Sequence, residues 1–248
     1  MLSLINVARR LREDVNAVAS LTQFFCIKST RKVVAPMEPH FDDQGKAIFK
    51  ALISNAQIYL EYGSGGSTQL AARCAKTVIS VDHDRAFLQA VGQQMYKTGA
   101  CPEFKPIVVN IGISGPWGYP VFTWFSSNLD TARAARFSQS TDSRLQRWKG
   151  YPAAPWKFLQ QRMLEPDVIL IDGRFRVACA LESFLRLGPK STCNILVDDY
   201  ADRPHYKSIE EFGDLVAMHG RMAQFRKASG LDVEKCRRVL EDFYCDVR

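Results

Sequence analysis

From about residue 46 onward, two hydrophobic periodicities alternate along the chain. Short aliphatic and β-branched runs suit strands, and the stretches between them repeat apolar residues three and four apart, as on one helix face. The reading is a helix over 46–55, a strand over Gln57–Tyr62 and a helix opening at Ser67–Cys74. A strand over Thr77–Val81, a helix over Phe87–Thr98 and a strand over Lys105–Ile111 follow. After a gap come a strand at Asp167–Asp172, a helix at Val177–Leu187, a strand at Cys193–Val197 and a helix at Tyr206–Phe212. Leu215–His219 and Met222–Arg226, joined by Gly220-Arg221, pattern as a hairpin, and 232–243 as a closing helix. Strands alternating with helices predict a doubly wound, mostly parallel α/β sheet of the Rossmann-like kind.

Two stretches depart from this rhythm. The first 45 residues read as a helical extension, with Leu4, Val7, Ala8 and Leu11 on one face. Residues 113–165 read as an irregular insertion, because they hold Pro116, Pro120, Pro152, Pro155 and all four tryptophans. Loops of that length are usually functional. At 248 residues the whole is expected to be one domain.

Composition narrows the class. Apolar residues at 46% and charged residues at 24% fit a folded globular chain. No apolar run approaches the roughly 20 residues that span a bilayer. Arg9, Arg10, Arg12, Glu13 and Asp14 interrupt any signal-peptide core, so a cytoplasmic location and no membrane span are expected. The seven cysteines form no Cys-x-x-Cys pair and read as reduced thiols. The net charge of +7 is spread along the chain without a nucleic-acid motif, so nucleic acid is not an expected partner. The oligomeric state stays open, with a homodimer among the options.

Chemistry concentrates first at Glu61-Tyr62-Gly63-Ser64-Gly65-Gly66-Ser67-Thr68, between a strand and a helix. Glycines let the backbone turn sharply and approach a ligand, and the next helix points its free N–H groups into the crevice at the strand end. No Gly-Lys-Ser/Thr follows, which disfavours a triphosphate. Thr68 stands where a dinucleotide fingerprint needs its third glycine, which disfavours a nicotinamide cofactor. Glu61 would repel a pyrophosphate but suits a cationic ligand. Asp82, nineteen positions after Gly63 and followed by His83, stands where an acid accepts hydrogen bonds from ribose hydroxyls.

On these residues the chain resembles the class I S-adenosylmethionine-dependent methyltransferases. The resemblance implies a seven-stranded sheet whose last strand runs antiparallel, supplied by the 215–226 hairpin. It also implies that Glu61, Gly63, Ser64, Gly65, Ser67, Asp82, His83 and Asp172 hold S-adenosylmethionine, and that a methyl group passes to an acceptor. A second constellation, Asp167–Gly173 and Ile195–Tyr200, frames one helix and brings acids to adjacent strand ends. It is similar to the macrocin-type branch of sugar O-methyltransferases, whose resemblance covers roughly 46–112 and 166–212. That branch implies Asp172, Asp198 and Asp199 as metal ligands, for Mg²⁺, and a sugar or other small-molecule hydroxyl as acceptor. Gly173-Arg174-Phe175-Arg176 departs from the branch, because two arginines beside the acids oppose a cation and suit an anionic acceptor. The other reading pairs Asp172 with Arg174 or Arg176 and lets Asp199 cap a helix.

Methylating a hydroxyl needs a base, and His83, His205 and Asp199 are the candidates, His205 first because it follows the fifth strand closely. Trp117, Tyr119, Trp148, Tyr151 and Trp156 fit equally a lid over the acceptor or a satellite hydrophobic cluster. Two other function classes stay open: a non-catalytic binding or interaction module on the same fold, and a nicotinamide-dependent oxidoreductase.

Overall fold

The computed structural model describes residues 33–100, 102–112, 114, 118 and 142–247. Seven strands form one sheet in the order β3-β2-β1-β4-β5-β7-β6. The strands are β1 Ile58–Tyr62, β2 Thr77–Asp82, β3 Glu103–Val108, β4 Val168–Ile171, β5 Asn194–Val197, β6 Gly213–His219 and β7 Met222–Lys227. Neighbours among β1 to β5 run parallel. β7 runs antiparallel to both β5 and β6. The helices are α1 Asp43–Ile53, α2 Gly66–Ala71, α3 Arg85–Lys97, α4 Asp142–Arg162, α5 Arg176–Arg186 and α6 Val233–Phe243, with a 3₁₀ helix over Pro204–Glu211. This is the expected Rossmann-like α/β sheet, and the reversed strand sits in the 213–227 hairpin as expected.

The two-residue period of the strands divides the core between two faces. Tyr59, Val78, Leu170 and Leu196 face one side, with Phe49 and Ile53 of α1, Leu70 of α2 and Val91 of α3. Leu60, Tyr62, Val81, Ile171 and Val197 face the other, with α4, α5 and α6. The continuous apolar run of β4 marks a strand covered on both faces. All four of its side chains are buried, and each contributes on the order of 2 kcal/mol.

Two expectations need correcting. The stretch 113–165 is not irregular throughout, because Asp142–Arg162 is one long helix with Pro152 and Pro155 inside it. An interior proline costs a helix about 3 kcal/mol, which is why the prolines read as breaks. Burial of Trp148, Tyr151, Trp156 and Leu159 on one side of α4 offsets that cost. Tyr151 packs on Tyr62 and Phe175, with ring centroids 6.0 and 5.7 Å apart. Trp156 Nε1 donates to Tyr62 Oη at 3.0 Å, and Tyr62 Oη donates to the Pro152 carbonyl at 2.7 Å. These three aromatics therefore belong to the core, while Trp117 and Tyr119 lie outside the described residues. Secondly, residues 33–42 are not helical, and α1 begins at Asp43. The helix expected over the first residues lies outside the described residues. Among those residues, no helix is long and apolar enough to cross a membrane.

Candidate functional site

In this strand order the chain reverses direction of winding between β1 and β4, and such switch points open a crevice at the carboxyl ends of the strands. The residues singled out from the sequence converge on that edge in two groups.

The first group lies at the ends of β1 and β2. Gly63 has φ +97°, and its amide donates to the Val81 carbonyl at 2.8 Å. Glu61 sits directly beneath the turn, fully buried. Strand periodicity puts Tyr59 on the same face two residues earlier, and parallel register puts Ser80 beside it. Tyr59 Oη and Ser67 Oγ donate to Oε2 at 2.8 and 2.7 Å, and Ser80 Oγ donates to Oε1 at 2.6 Å. Thr68 Oγ1 also contacts Oε1, and the Gly65 amide donates to Thr68 Oγ1 at 2.8 Å. Glu61 is thus tied into the turn from below. Burial pushes its carboxyl up to about 7, against the opposing pull of the four hydroxyls.

Asp82 ends β2 on the open side. Its Oδ2 accepts from the Ser64 amide at 3.0 Å and from Ser64 Oγ at 2.8 Å. Its Oδ1 accepts from the Asp84 amide at 2.9 Å and lies 3.2 Å from His83 Nδ1. Burial alone would raise its pKa, but the His83 contact and the two backbone amides outweigh burial and hold the carboxyl below its usual range. The Ser64 hydroxyl occupies Asp82 as a sugar hydroxyl would. A Cβ on Gly65 would be in ordinary van der Waals contact with Pro36 Cγ at 3.8 Å, so the segment before α1 lies against this part of the turn. These are features that suit a nucleoside.

The second group lies at the ends of β4 and β5. Asp172, Asp198 and Asp199 each offer a carboxylate oxygen within 4.8 Å of the others. Each of the three carboxylates is already paired with arginine. Arg176 Nη2 donates to Asp172 Oδ1 at 2.9 Å, and Nη1 to Asp199 Oδ2 at 3.2 Å. Arg221 is bidentate on Asp198, at 3.1 and 2.8 Å, and its Nε lies 3.3 Å from Asp199 Oδ1. Arg203 donates to Asp199 Oδ2 at 3.0 Å. Three guanidinium groups therefore balance three carboxylates, and the set does not fit a divalent cation, which needs its oxygens free of rival cations. Asp172 pairs with Arg176, as one of the two sequence readings had it. Asp199 caps no helix: it sits at φ +56° and binds arginines.

Gly63 and Gly173 join the two groups. A Cβ on Gly63 would lie 2.8 Å from Gly173 Cα, and one on Gly173 would lie 3.0 Å from Gly63 N. His205 is the second residue of the 3₁₀ helix, half-buried, its ring 4.5 Å from that of Tyr206. Sequence reading missed Tyr59, Thr68 and Ser80, although the two-residue period pointed to the first and last. It also missed Arg203 and Arg221. Arg221 lies in a hairpin turn, and no local pattern marks it.

No protein-family model matches the chain, and no curated protein matches it. Among solved structures, it is similar to a methyltransferase-like protein from Silicibacter pomeroyi, at 27% identity, a TM-score of 0.68, and coverage of 85% of this chain and 99% of the other. Weaker likenesses include an O-methyltransferase from Bacillus cereus in complex with SAH (12% identity, TM-score 0.44, covering 84% and 91%). Another is a putative caffeoyl-CoA O-methyltransferase from Staphylococcus aureus (14% identity, TM-score 0.44, covering 91% and 97%). The fold is a Rossmann-like α/β sheet of the kind seen in that methyltransferase-like protein.

Proposed function

We propose that this chain binds S-adenosylmethionine at the carboxyl ends of β1 and β2 and directs its methyl group to a hydroxyl of a sugar or other small molecule. The observation that carries the reading is the turn at Gly63–Gly66 closed onto Asp82 at the switch point, in a fold shared with a methyltransferase-like protein. In this reading Gly63, Ser64 and Gly65 supply the close backbone approach. Asp82 accepts the ribose hydroxyls, displacing the Ser64 hydroxyl, and His83 holds the Asp82 carboxylate. Glu61 and Ser67 act from beneath as positioning residues. Asp172 forms the wall toward the acceptor.

The bound cofactor supplies an electrophilic methyl on a sulfonium. Taking up that methyl group would cost the acceptor hydroxyl its proton, which a residue of this chain must receive. Asp199 holds three arginines, so His205 is the residue assigned to take that proton. Holding acceptor and cofactor together in one crevice would contribute to the rate through orientation.

Calorimetric titration of S-adenosylmethionine into wild type and Asp82→Ala tests the reading. Saturable binding on the order of 8 kcal/mol in the wild type, weakened roughly tenfold or more by the substitution, is expected. Absence of binding at millimolar ligand would overturn it and bring nicotinamide cofactors, or an interaction module, to the front.

A further inference from the structure

The acidic trio at the ends of β4 and β5 has an occupant of its own. Phe175 takes φ +56° and is fully buried, and the turn it makes places Arg176 at the first position of α5. A cation at a helix N-terminus faces the positive end of the helix dipole and is disfavoured there. Arg176 is also only 2% exposed. A buried cation in that place requires matched acceptors on every side.

Arg176 has them. Nε donates to the Gly173 carbonyl at 3.0 Å. Nη1 donates to the Asp198 carbonyl at 2.6 Å and to Asp199 Oδ2 at 3.2 Å. Nη2 donates to the Asp172 carbonyl at 3.0 Å and to Asp172 Oδ1 at 2.9 Å. This set of carboxylate and carbonyl oxygens, drawn from two adjacent strand ends, has the chemistry of a hard-cation shell. The guanidinium engages it with every donor an arginine owns.

We propose that Arg176 is a built-in replacement for a divalent cation: its guanidinium stands among Asp172, Asp198 and Asp199 and fixes the ends of β4 and β5 to each other. Arg176 is thereby a positioning residue, and the trio takes up no metal in the intact protein. Removing the guanidinium frees Asp172 Oδ1 and the carbonyl oxygens of Asp172, Gly173 and Asp198 for a cation. Arg203 stays on Asp199 and Arg221 on Asp198, so those two carboxylates keep their places when it is gone.

The test is Mn²⁺ binding followed by electron paramagnetic resonance, with thermal melts in Mg²⁺ or Mn²⁺ against NaCl of equal ionic strength. Wild type is expected to take up no Mn²⁺ at this site and to melt identically with chelator or divalent ion. Arg176→Ala is expected to melt lower, to bind one Mn²⁺ roughly tenfold or more tighter than wild type, and to regain melting temperature with divalent ions but not with NaCl. Arg176→Gln, which keeps a donor for the carbonyls, serves if the alanine variant does not fold. Stoichiometric Mn²⁺ binding by wild type that Asp199→Asn abolishes would overturn the proposal. So would folded Arg176 variants with no gain in Mn²⁺ affinity.

Discussion

A carboxyl buried away from solvent either finds donors or gives up its charge, and Glu61 stands between these outcomes. Four hydroxyls converge on it, and burial still lifts it from 4.5 to about 7. Between those values the folded chain keeps a proton that the unfolded chain has released. Stability therefore falls as pH rises from 4.5 to 7 and levels off above, a change of about 3 kcal/mol for this group. Glu61→Gln removes that component. In urea denaturation across this range, the stability of wild type relative to the variant is expected to drop by about 3 kcal/mol as the pH rises. Parallel curves would show that Glu61 is ionised throughout. The sequence made Glu61 visible as an acid before a glycine turn, but not its inward direction. That direction depends on Ser80, nineteen positions away, being its register partner.

At the scale of elements, α2 is short and every one of its residues is buried. The chain before α1 covers its start. A Cβ on Gly66 would lie 2.1 Å from Glu38 C and 2.4 Å from Pro39 N. Helix propensity alone has Gly66→Ala stabilising by about 1 kcal/mol. The covering backbone reverses the sign, and a loss of about 1–3 kcal/mol is expected. Limited proteolysis, cutting faster within residues 33–40 of the variant, would report the displaced segment. A gain in melting temperature would mean that the segment yields freely. Most elements were legible from period alone, because β4 is buried throughout and β5 and α5 over most of their length, and their apolar runs show it. α4 was not, since its prolines signal a break, and only the aromatic contacts with Tyr62 and Phe175 explain why the helix persists.

Across the whole molecule, the reversed hairpin at the sheet edge is tied back to the residues around the start of α1. The Gly220 amide donates to Gln44 Oε1 at 2.8 Å, and the Arg221 amide to Asp42 Oδ2 at 2.7 Å. Asp42 Oδ1 meanwhile accepts from the Gly45 amide at 2.7 Å, capping α1. The Arg221 guanidinium spans from the His40 carbonyl to the buried Asp198. Arg221→Met leaves Asp198 without that bidentate partner, in a site where lost pairing costs heavily. Because the arginine is one-third exposed, the expected loss is nearer 2 kcal/mol, read as a lower urea midpoint with unchanged slope. An unchanged midpoint would show that Arg176 alone neutralises the trio. Long-range ties of this kind, over 170 positions apart in sequence, have no counterpart in local periodicity.

The contact between Gly63 and Gly173 bears on how anything enters the crevice. Two backbones meet there with no side chain between them, one from the end of β1 and one from the end of β4. Parallel hydrogen bonding holds the strands at that spacing as well. The floor of the crevice therefore has no give, and a guest cannot pry it apart. What can yield beside this floor is the segment around Pro36–Pro39, which lies against Gly65 and Gly66. For the ligand proposed above, exchange is expected to depend on how tightly that segment is fastened, not on breathing of the sheet.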